Sequence, residues 1–80
     1  MDHLEELLVS LSKGLVEKTD SVKVTVNEPN EDNIVVYRLE VDDADKGRII
    51  GKQGRIAKAI RVVMKAAANR IGKKIMIEIV

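Results

Sequence analysis

Two glycines spaced three residues apart interrupt an otherwise helical pattern in the second half of this 80-residue chain. Ile50 lies directly before the pair, Gly51 and Gly54, and Ile56 and Ile60 follow at helical spacing. Glycine permits backbone angles that other residues avoid, and it lets another backbone approach closely because it has no Cβ. The pattern therefore predicts a short helix, a tight glycine turn, and a longer helix that begins immediately after the turn.

The start of the second predicted helix has the properties of a phosphate site. Helix N-termini have backbone N–H groups without intrahelical partners, and the helix dipole is positive there. Lys52 and Arg55 add formal charge at the same place. We therefore expect this turn to bind a sugar-phosphate backbone.

The stretch resembles the signature of the KH domain, in which an apolar pair, a Gly-x-x-Gly turn and isoleucine at helical spacing follow one another. Here these are Ile49 and Ile50, the turn Gly51-Lys52-Gln53-Gly54, and Ile56 and Ile60. In KH domains the glycine loop clamps about four backbone nucleotides of single-stranded RNA. The resemblance implies the same ligand for this chain.

The charges along the chain are segregated, although the net charge is only +1. Residues 1–45 contain four basic and twelve acidic residues, whereas residues 46–80 contain ten basic residues and Glu78 as their one acid. A concentrated basic half is typical of a surface that binds a polyanion. The alternative is a solvated basic helix whose charge the acidic half neutralises in the fold.

Length and composition favour one globular domain over residues 1–80. The chain has no cysteine, which excludes disulfides and thiolate metal sites, and its one histidine is His3 near the terminus. The acids Asp42, Asp43 and Asp45 suit helix caps better than a metal site. The glycine spacing fits neither the phosphate loop of NTPases nor the dinucleotide fingerprint. We expect no enzymatic activity and no cofactor.

No apolar run approaches the ~18 residues that span a bilayer, and the acidic N-terminus is unlike a secretory signal. These features predict a cytoplasmic protein.

Hydrophobic periodicity predicts the element order α-β-β-α-α-β. A two-helix crossover is long enough to return the chain parallel to the strand that precedes it. We therefore expect an α+β fold, with a three-stranded mixed sheet packed on one face by three helices. The predicted helices cover residues 3–18, 44–50 and 55–71, and the predicted strands cover residues 22–26, 34–41 and 75–80, with 34–41 central.

This order resembles the prokaryotic, type II arrangement of the KH domain, and the whole chain is similar to the small bacterial single-KH proteins of the KhpA family. The resemblance implies an RNA-binding regulator or RNA chaperone of the cytoplasm. It also implies a homodimer, or pairing with a larger KH protein of the KhpB (Jag) type, through the region around the loop and the helix after it.

The expected RNA-binding surface surrounds the glycine turn. Its backbone approaches the phosphates, and the isoleucines form an aliphatic wall for unstacked bases or else belong to the core. Tyr37 is the one aromatic residue, which excludes stacking on aromatic platforms. Single-stranded DNA is an alternative ligand. The predicted set is Arg48, Ile49, Ile50, Gly51, Lys52, Gln53, Gly54, Arg55, Ile56, Lys58, Ile60, Lys73 and Lys74.

The helix after the turn is apolar beyond one core stripe. Ala59, Val62 and Ala66 widen the stripe, while Arg61 and Lys65 mark a polar ridge. Such a helix contacts a second protein or the bases, or its composition reflects only the high helix propensity of alanine. We expect Val62, Ala66 and Ala59 to lie in a dimer interface. The alternative function is a protein-interaction module with weak or no nucleic-acid binding.

Overall fold

The computed structural model describes residues 2–80, except for the side chain of Lys52. Over these residues, no helix combines the length and the hydrophobicity that crossing a membrane requires. In chain order the elements are helix α1 (His3–Lys13), a 3-10 turn (Thr19–Ser21), strands β1 (Lys23–Val26) and β2 (Ile34–Glu40), helix α2 (Asp43–Arg70) and strand β3 (Lys74–Ile79).

Strand β2 is the centre of a three-stranded mixed sheet. It pairs antiparallel with β1, where Val24 lies opposite Leu39, and parallel with β3, where Val35 lies opposite Ile75. Parallel neighbours require a long crossover connection, which α2 supplies. The predicted α+β fold with a central second strand is confirmed.

Helix α1 is shorter than the predicted helix over residues 3–18. Asp2 caps its N-terminus, since the Oδ1 atom accepts a hydrogen bond from the backbone N–H of Glu5 at 2.6 Å. The helix ends at Lys13, and the N–H of Gly14 donates to the carbonyl of Ser10 at 3.1 Å. The chain then turns away from the helix axis, and Leu15 is exposed.

Helix α2 is bent at the glycine turn. Its hydrogen-bonding pattern is helical from Asp43 to Arg70, but Gln53 and Gly54 have φ angles of 63° and 67°. A right-handed helix changes direction at such left-handed residues. A straight helix of 28 residues would span about 42 Å, whereas the longest dimension of the molecule is 33 Å. Helix α2 therefore consists of a first arm (residues 43–52) and a second arm (residues 55–70). When these arms are counted as two helices, the predicted element order is confirmed.

The core lies between the sheet and the helices. Tyr37 is its largest buried side chain, and its hydroxyl donates to Asp2 Oδ2 at 3.1 Å. Burial, followed by the neighbouring Asp2 carboxylate, raises the pKa of Tyr37 to about 12. The buried hydrophobic residues are Leu4, Leu8, Tyr37, Leu39, Val41, Ile49, Ala57, Ile60, Met64, Ala68, Ile75 and Ile77.

Candidate nucleic-acid interface

The two glycines of the turn serve different purposes. Gly54 adopts a φ of 67°, which glycine reaches without the steric cost that a Cβ imposes. Gly51 does not adopt a positive φ, and a Cβ at this position would meet no atom within 4 Å. The fold therefore favours glycine at position 54 but not at position 51, where the missing side chain leaves the backbone open to another molecule.

Between the glycines, Gln53 is exposed and has a φ of 63°. This conformation costs a residue with a Cβ roughly 1–2 kcal/mol, and such strain is concentrated at functional sites. The predicted phosphate contact from Lys52 concerns a side chain outside the described residues.

The second arm begins with two exposed cations, Arg55 and Lys58. Among the described residues, the ion pairs between acidic and basic side chains involve Lys18, Arg38 and Arg48. In the described part of the chain, Arg55 and Lys58 therefore form no ion pair with an acidic side chain. At this position the charge segregation leaves a positive surface beside the turn.

Arg48 was expected to extend that positive surface, but its exposed side chain is held by ion pairs and hydrogen bonds within the molecule. Its Nη2 atom donates to the carbonyl of Leu15 at 2.8 Å and to Asp45 Oδ1 at 2.9 Å. Its Nη1 atom lies 3.6 Å from Glu17 Oε1. Two carboxylates thus lie beside one guanidinium charge, which opposes the expected contribution of Arg48 to the field around the turn.

The four isoleucines near the turn divide between core and surface. Ile49 and Ile60 are 0% and 1% exposed and belong to the core, so they cannot form the wall of a base-binding groove. Ile50 is exposed, and Ile56 is half-buried against the core. Only these two present aliphatic surface on either side of the turn.

Lys73 and Lys74 lie at the opposite end of the second arm from the turn. The arm has 16 residues, so this separation is about 24 Å along its axis. The two lysines line a groove of about 390 Å³, together with Lys65, Asn69 and the apolar side chains of Ile34 and Ile75, among others. They form a second cationic cluster that does not belong to the turn.

A basic ridge joins the two clusters along one side of the second arm. Lys58, Arg61 and Lys65 are spaced three and four residues apart, which places them on neighbouring positions of the helix surface. Arg61 Nε donates to the carbonyl of Ile77 in β3 at 3.4 Å. This spacing was visible in the sequence as a polar ridge, but Arg61 and Lys65 were not predicted as site residues.

The ridge borders the outer edge of the sheet. The N–H of Val80 donates to the carbonyl of Leu39 at 2.9 Å, so the even-numbered residues of β3 bond to β2. The backbone groups of the odd-numbered residues, Ile77 among them, therefore point away from the sheet. This edge offers hydrogen-bond donors and acceptors next to the ridge.

The other exposed side of the second arm is apolar. Val62 is 67% exposed, and Val63 and Ile71 are exposed as well. With Ala66, Ala67 and Arg70 they line a shallow hollow of about 610 Å³. Ala59 is exposed on the same arm. The residues predicted for a dimer interface are therefore accessible to a partner.

Comparison with known proteins identifies the chain's relatives. A family model described as the KH domain of KhpA/KhpB matches residues 5–79. The RNA-binding protein KhpA of Clostridium perfringens is 46% identical over 77 residues, which are 96% of this chain and 100% of that protein. The RNA-binding protein KhpA of Aquifex aeolicus is 42% identical over 79 residues, which are 99% of this chain and 98% of that protein.

One solved structure is similar in fold. It is the crystal structure of Era in complex with MgGDPNP and nucleotides 1506–1542 of 16S ribosomal RNA, with a TM-score of 0.70 and 24% sequence identity. The match covers 95% of this chain but only 28% of that chain. The likeness at this identity concerns the fold.

Proposed function

Because this chain belongs to the family of KhpA and KhpB KH domains, we propose that it binds single-stranded RNA through the Gly51–Gly54 turn and the basic ridge. Its relatives are named as RNA-binding proteins. The observation that carries the proposal is the open space at Gly51 directly before the left-handed turn at Gln53 and Gly54. Gly47 has the same open space but no such turn beside it. A sugar-phosphate backbone needs that space to approach the turn.

In this proposal, phosphates lie against the turn and the start of the second arm. The positive end of the helix dipole and the backbone N–H groups favour an anion there. Arg55 and Lys58 add charges that no acid of the described chain offsets. About four nucleotides occupy such a loop in KH domains.

The bases lie between the second arm and the outer edge of β3. Ile50 and Ile56 supply aliphatic surface for the bases near the turn. Tyr37 is only 1% exposed and cannot stack on a base. Backbone groups at the edge of β3 give the bases hydrogen-bond partners. Lys73 and Lys74 contact only an RNA strand long enough to follow the arm for about 24 Å.

A second candidate function is favoured by the apolar side of the second arm. Val62 and its exposed neighbours suit a homodimer, or a heterodimer with a KhpB (Jag)-type protein. In a homodimer, association joins two weak RNA sites and raises the avidity for longer strands. The competing version is a dimerisation module that binds little or no RNA. A cytoplasmic location stays a prediction, and we propose no enzymatic role.

The variant Gly51→Ala tests the main proposal, with Gly47→Ala as its matched control. Both positions lie in the first arm, and a Cβ at either meets nothing within 4 Å. Each change raises helix propensity, so each variant should be as stable as the wild type or more stable by up to about 1 kcal/mol. We expect Gly51→Ala to weaken binding of a labelled single-stranded RNA at least about tenfold, and Gly47→Ala to retain the wild-type affinity.

The same fluorescence-anisotropy titration distinguishes the alternatives. Equal affinities for the wild type and Gly51→Ala would reject the turn as the RNA seat. A wild-type chain that dimerises but binds no RNA would favour the interaction module. Tighter binding of single-stranded DNA of the same sequence would change the ligand class.

A further inference from the structure

The first arm, which ends in the glycine turn, is anchored by few side chains. Among residues 43–51, only Ile49 and Asp45 are buried, and Asp45 is 3% exposed. They are four residues apart and therefore lie on one face of the helix. The second arm, in contrast, places four hydrophobic residues in the core. The position of the turn thus depends on a buried carboxylate as much as on apolar packing.

That carboxylate joins the first arm to the segment after α1. Asp45 Oδ1 accepts from the N–H of Glu17, and Oδ2 accepts from the N–H of Lys18, both at 3.1 Å. Arg48 bonds to the same Oδ1 and to the carbonyl of Leu15. The hydrogen bond from the Glu17 backbone, aided by Lys18 and Arg48, lowers the pKa of Asp45 despite its burial. The carboxylate is therefore ionised at neutral pH.

We propose that Asp45 and Arg48 are positioning residues for RNA binding: they hold the first arm at the angle that presents the glycine turn, and neither contacts RNA. The inference rests on the proposed function of the turn. It replaces the expectation that Arg48 attracts phosphate. The Arg48 guanidinium already contacts two carboxylates and a carbonyl, so its charge is offset where it lies.

Replacement of Asp45 by asparagine distinguishes a positioning role from a purely electrostatic one, because the two roles predict opposite changes in RNA affinity. Removal of a negative charge strengthens RNA binding if only the field of the protein matters. Loss of the clamp weakens binding, and we expect about a tenfold loss for Asp45→Asn. The control is Asp43→Asn, an exposed acid of the same arm, which should bind as tightly as the wild type or slightly more tightly.

Arg48→Gln and Arg55→Gln provide a second contrast. Both remove one positive charge, but only Arg55 faces the proposed phosphate path. Arg55→Gln should reduce the log–log salt slope of binding by about 0.7, the value for one phosphate on a single strand. Arg48→Gln should weaken binding with the salt slope unchanged. A reduced slope for Arg48→Gln would make it a phosphate contact and overturn the proposal.

The amide resonances of Gly51 and Gly54 in the RNA-free protein report the position of the turn directly. They should shift in Asp45→Asn and Arg48→Gln but not in Asp43→Asn, at a temperature at which thermal unfolding shows each variant to be folded. Should Asp45→Asn fail to fold, Arg48→Lys replaces it, because lysine keeps the charge but cannot bridge the same partners.

Wild-type affinity for Asp45→Asn together with unshifted amides would reject the clamp. A wild-type chain that binds no RNA would instead reject the proposed function, and the amide shifts alone would then decide whether the clamp positions the turn.

Discussion

The hydroxyl of Tyr37 is a polar group at the edge of a cluster of buried hydrophobic side chains. It donates to one oxygen of Asp2, while the other oxygen of that carboxylate caps α1 at Glu5. Ionisation of Tyr37 would bury a second negative charge beside Asp2. Its raised pKa is therefore caused first by burial and then by this neighbour. The side-chain carboxylate of Asp2 thus links the central strand β2 to the start of α1.

Titration of Tyr37 tests this arrangement, since it is the one tyrosine of the chain. Its phenolate absorbance should appear near pH 12 in the folded protein and near pH 10 in urea-unfolded protein. Because the pKa is higher in the folded state, the stabilising contribution is complete below about pH 10 and is lost between about pH 10 and pH 12. A folded-state midpoint near pH 10 would contradict the buried hydrogen bond.

Tyr37→Phe provides the control for that titration. At pH 7 this variant should be about 1 kcal/mol less stable by urea unfolding, because it loses the hydrogen bond to Asp2. The difference in stability should shrink as the pH rises above about 10. Tyr37 then ionises in the unfolded wild type but not yet in the folded wild type, which favours unfolding, whereas phenylalanine does not ionise.

At the scale of elements, the bent helix α2 shows what the sequence can predict. Periodicity and the glycine pair predicted both arms and the turn, because these features are local. Periodicity identifies the apolar face of a helix but not the depth of burial, so Ile49 and Ile60 were assigned to core or groove without a decision. Helix spacing brings Arg48 close to Asp45, but its contacts with Leu15 and Glu17 were not predictable, since Leu15 is 33 residues away in the chain.

The early end of α1 and the location of Lys73 have the same kind of explanation. Helix α1 ends at Lys13 with Gly14 as its C-cap, whereas hydrophobic periodicity predicted a helix that continues to residue 18. Lys73 was expected to extend the positive field of the turn on the basis of its charge alone, without the length of the second arm.

The bend itself predicts opposite effects at two adjacent positions. Gln53→Gly removes a left-handed residue with a Cβ and should stabilise the folded protein by up to about 1 kcal/mol, after the entropy of the unfolded chain is included. Gly54→Ala introduces such a residue and should destabilise it by about 1–2 kcal/mol. Urea unfolding of the two variants measures both effects. Destabilisation by Gln53→Gly would indicate that the glutamine side chain stabilises the turn.

At the scale of the whole molecule, the second arm presents two different exposed sides. The basic ridge borders the edge of β3, and the apolar side contains Val62 and Ile71. RNA and a protein partner would therefore contact different sides of one helix. The distance between two RNA sites in a dimer would then be set by the packing of these helices.

Val62→Asp tests the role of the apolar side. The residue is 67% exposed, so the variant should fold normally while a buried charge opposes association. We expect it to be monomeric by sedimentation equilibrium at concentrations where the wild type dimerises. It should bind a four-nucleotide RNA as the wild type does but lose avidity for a longer RNA that spans two sites.

Ser10→Asp is the matched control for Val62→Asp, because it adds the same charge at an exposed position of α1. It should leave the molecular mass in solution and the avidity unchanged. Identical masses for the wild type and Val62→Asp would exclude this interface.

The segment that forms the turn also supplies part of the hydrophobic interior, through Ile49, Ala57 and Ile60. A synthetic peptide of residues 48–60 would lose the environment of all three side chains, and short isolated helices are marginal in water. Such a fragment would not keep the bend and could not imitate the intact protein. Transfer of this turn to another scaffold must therefore include the sheet and α1 that support it.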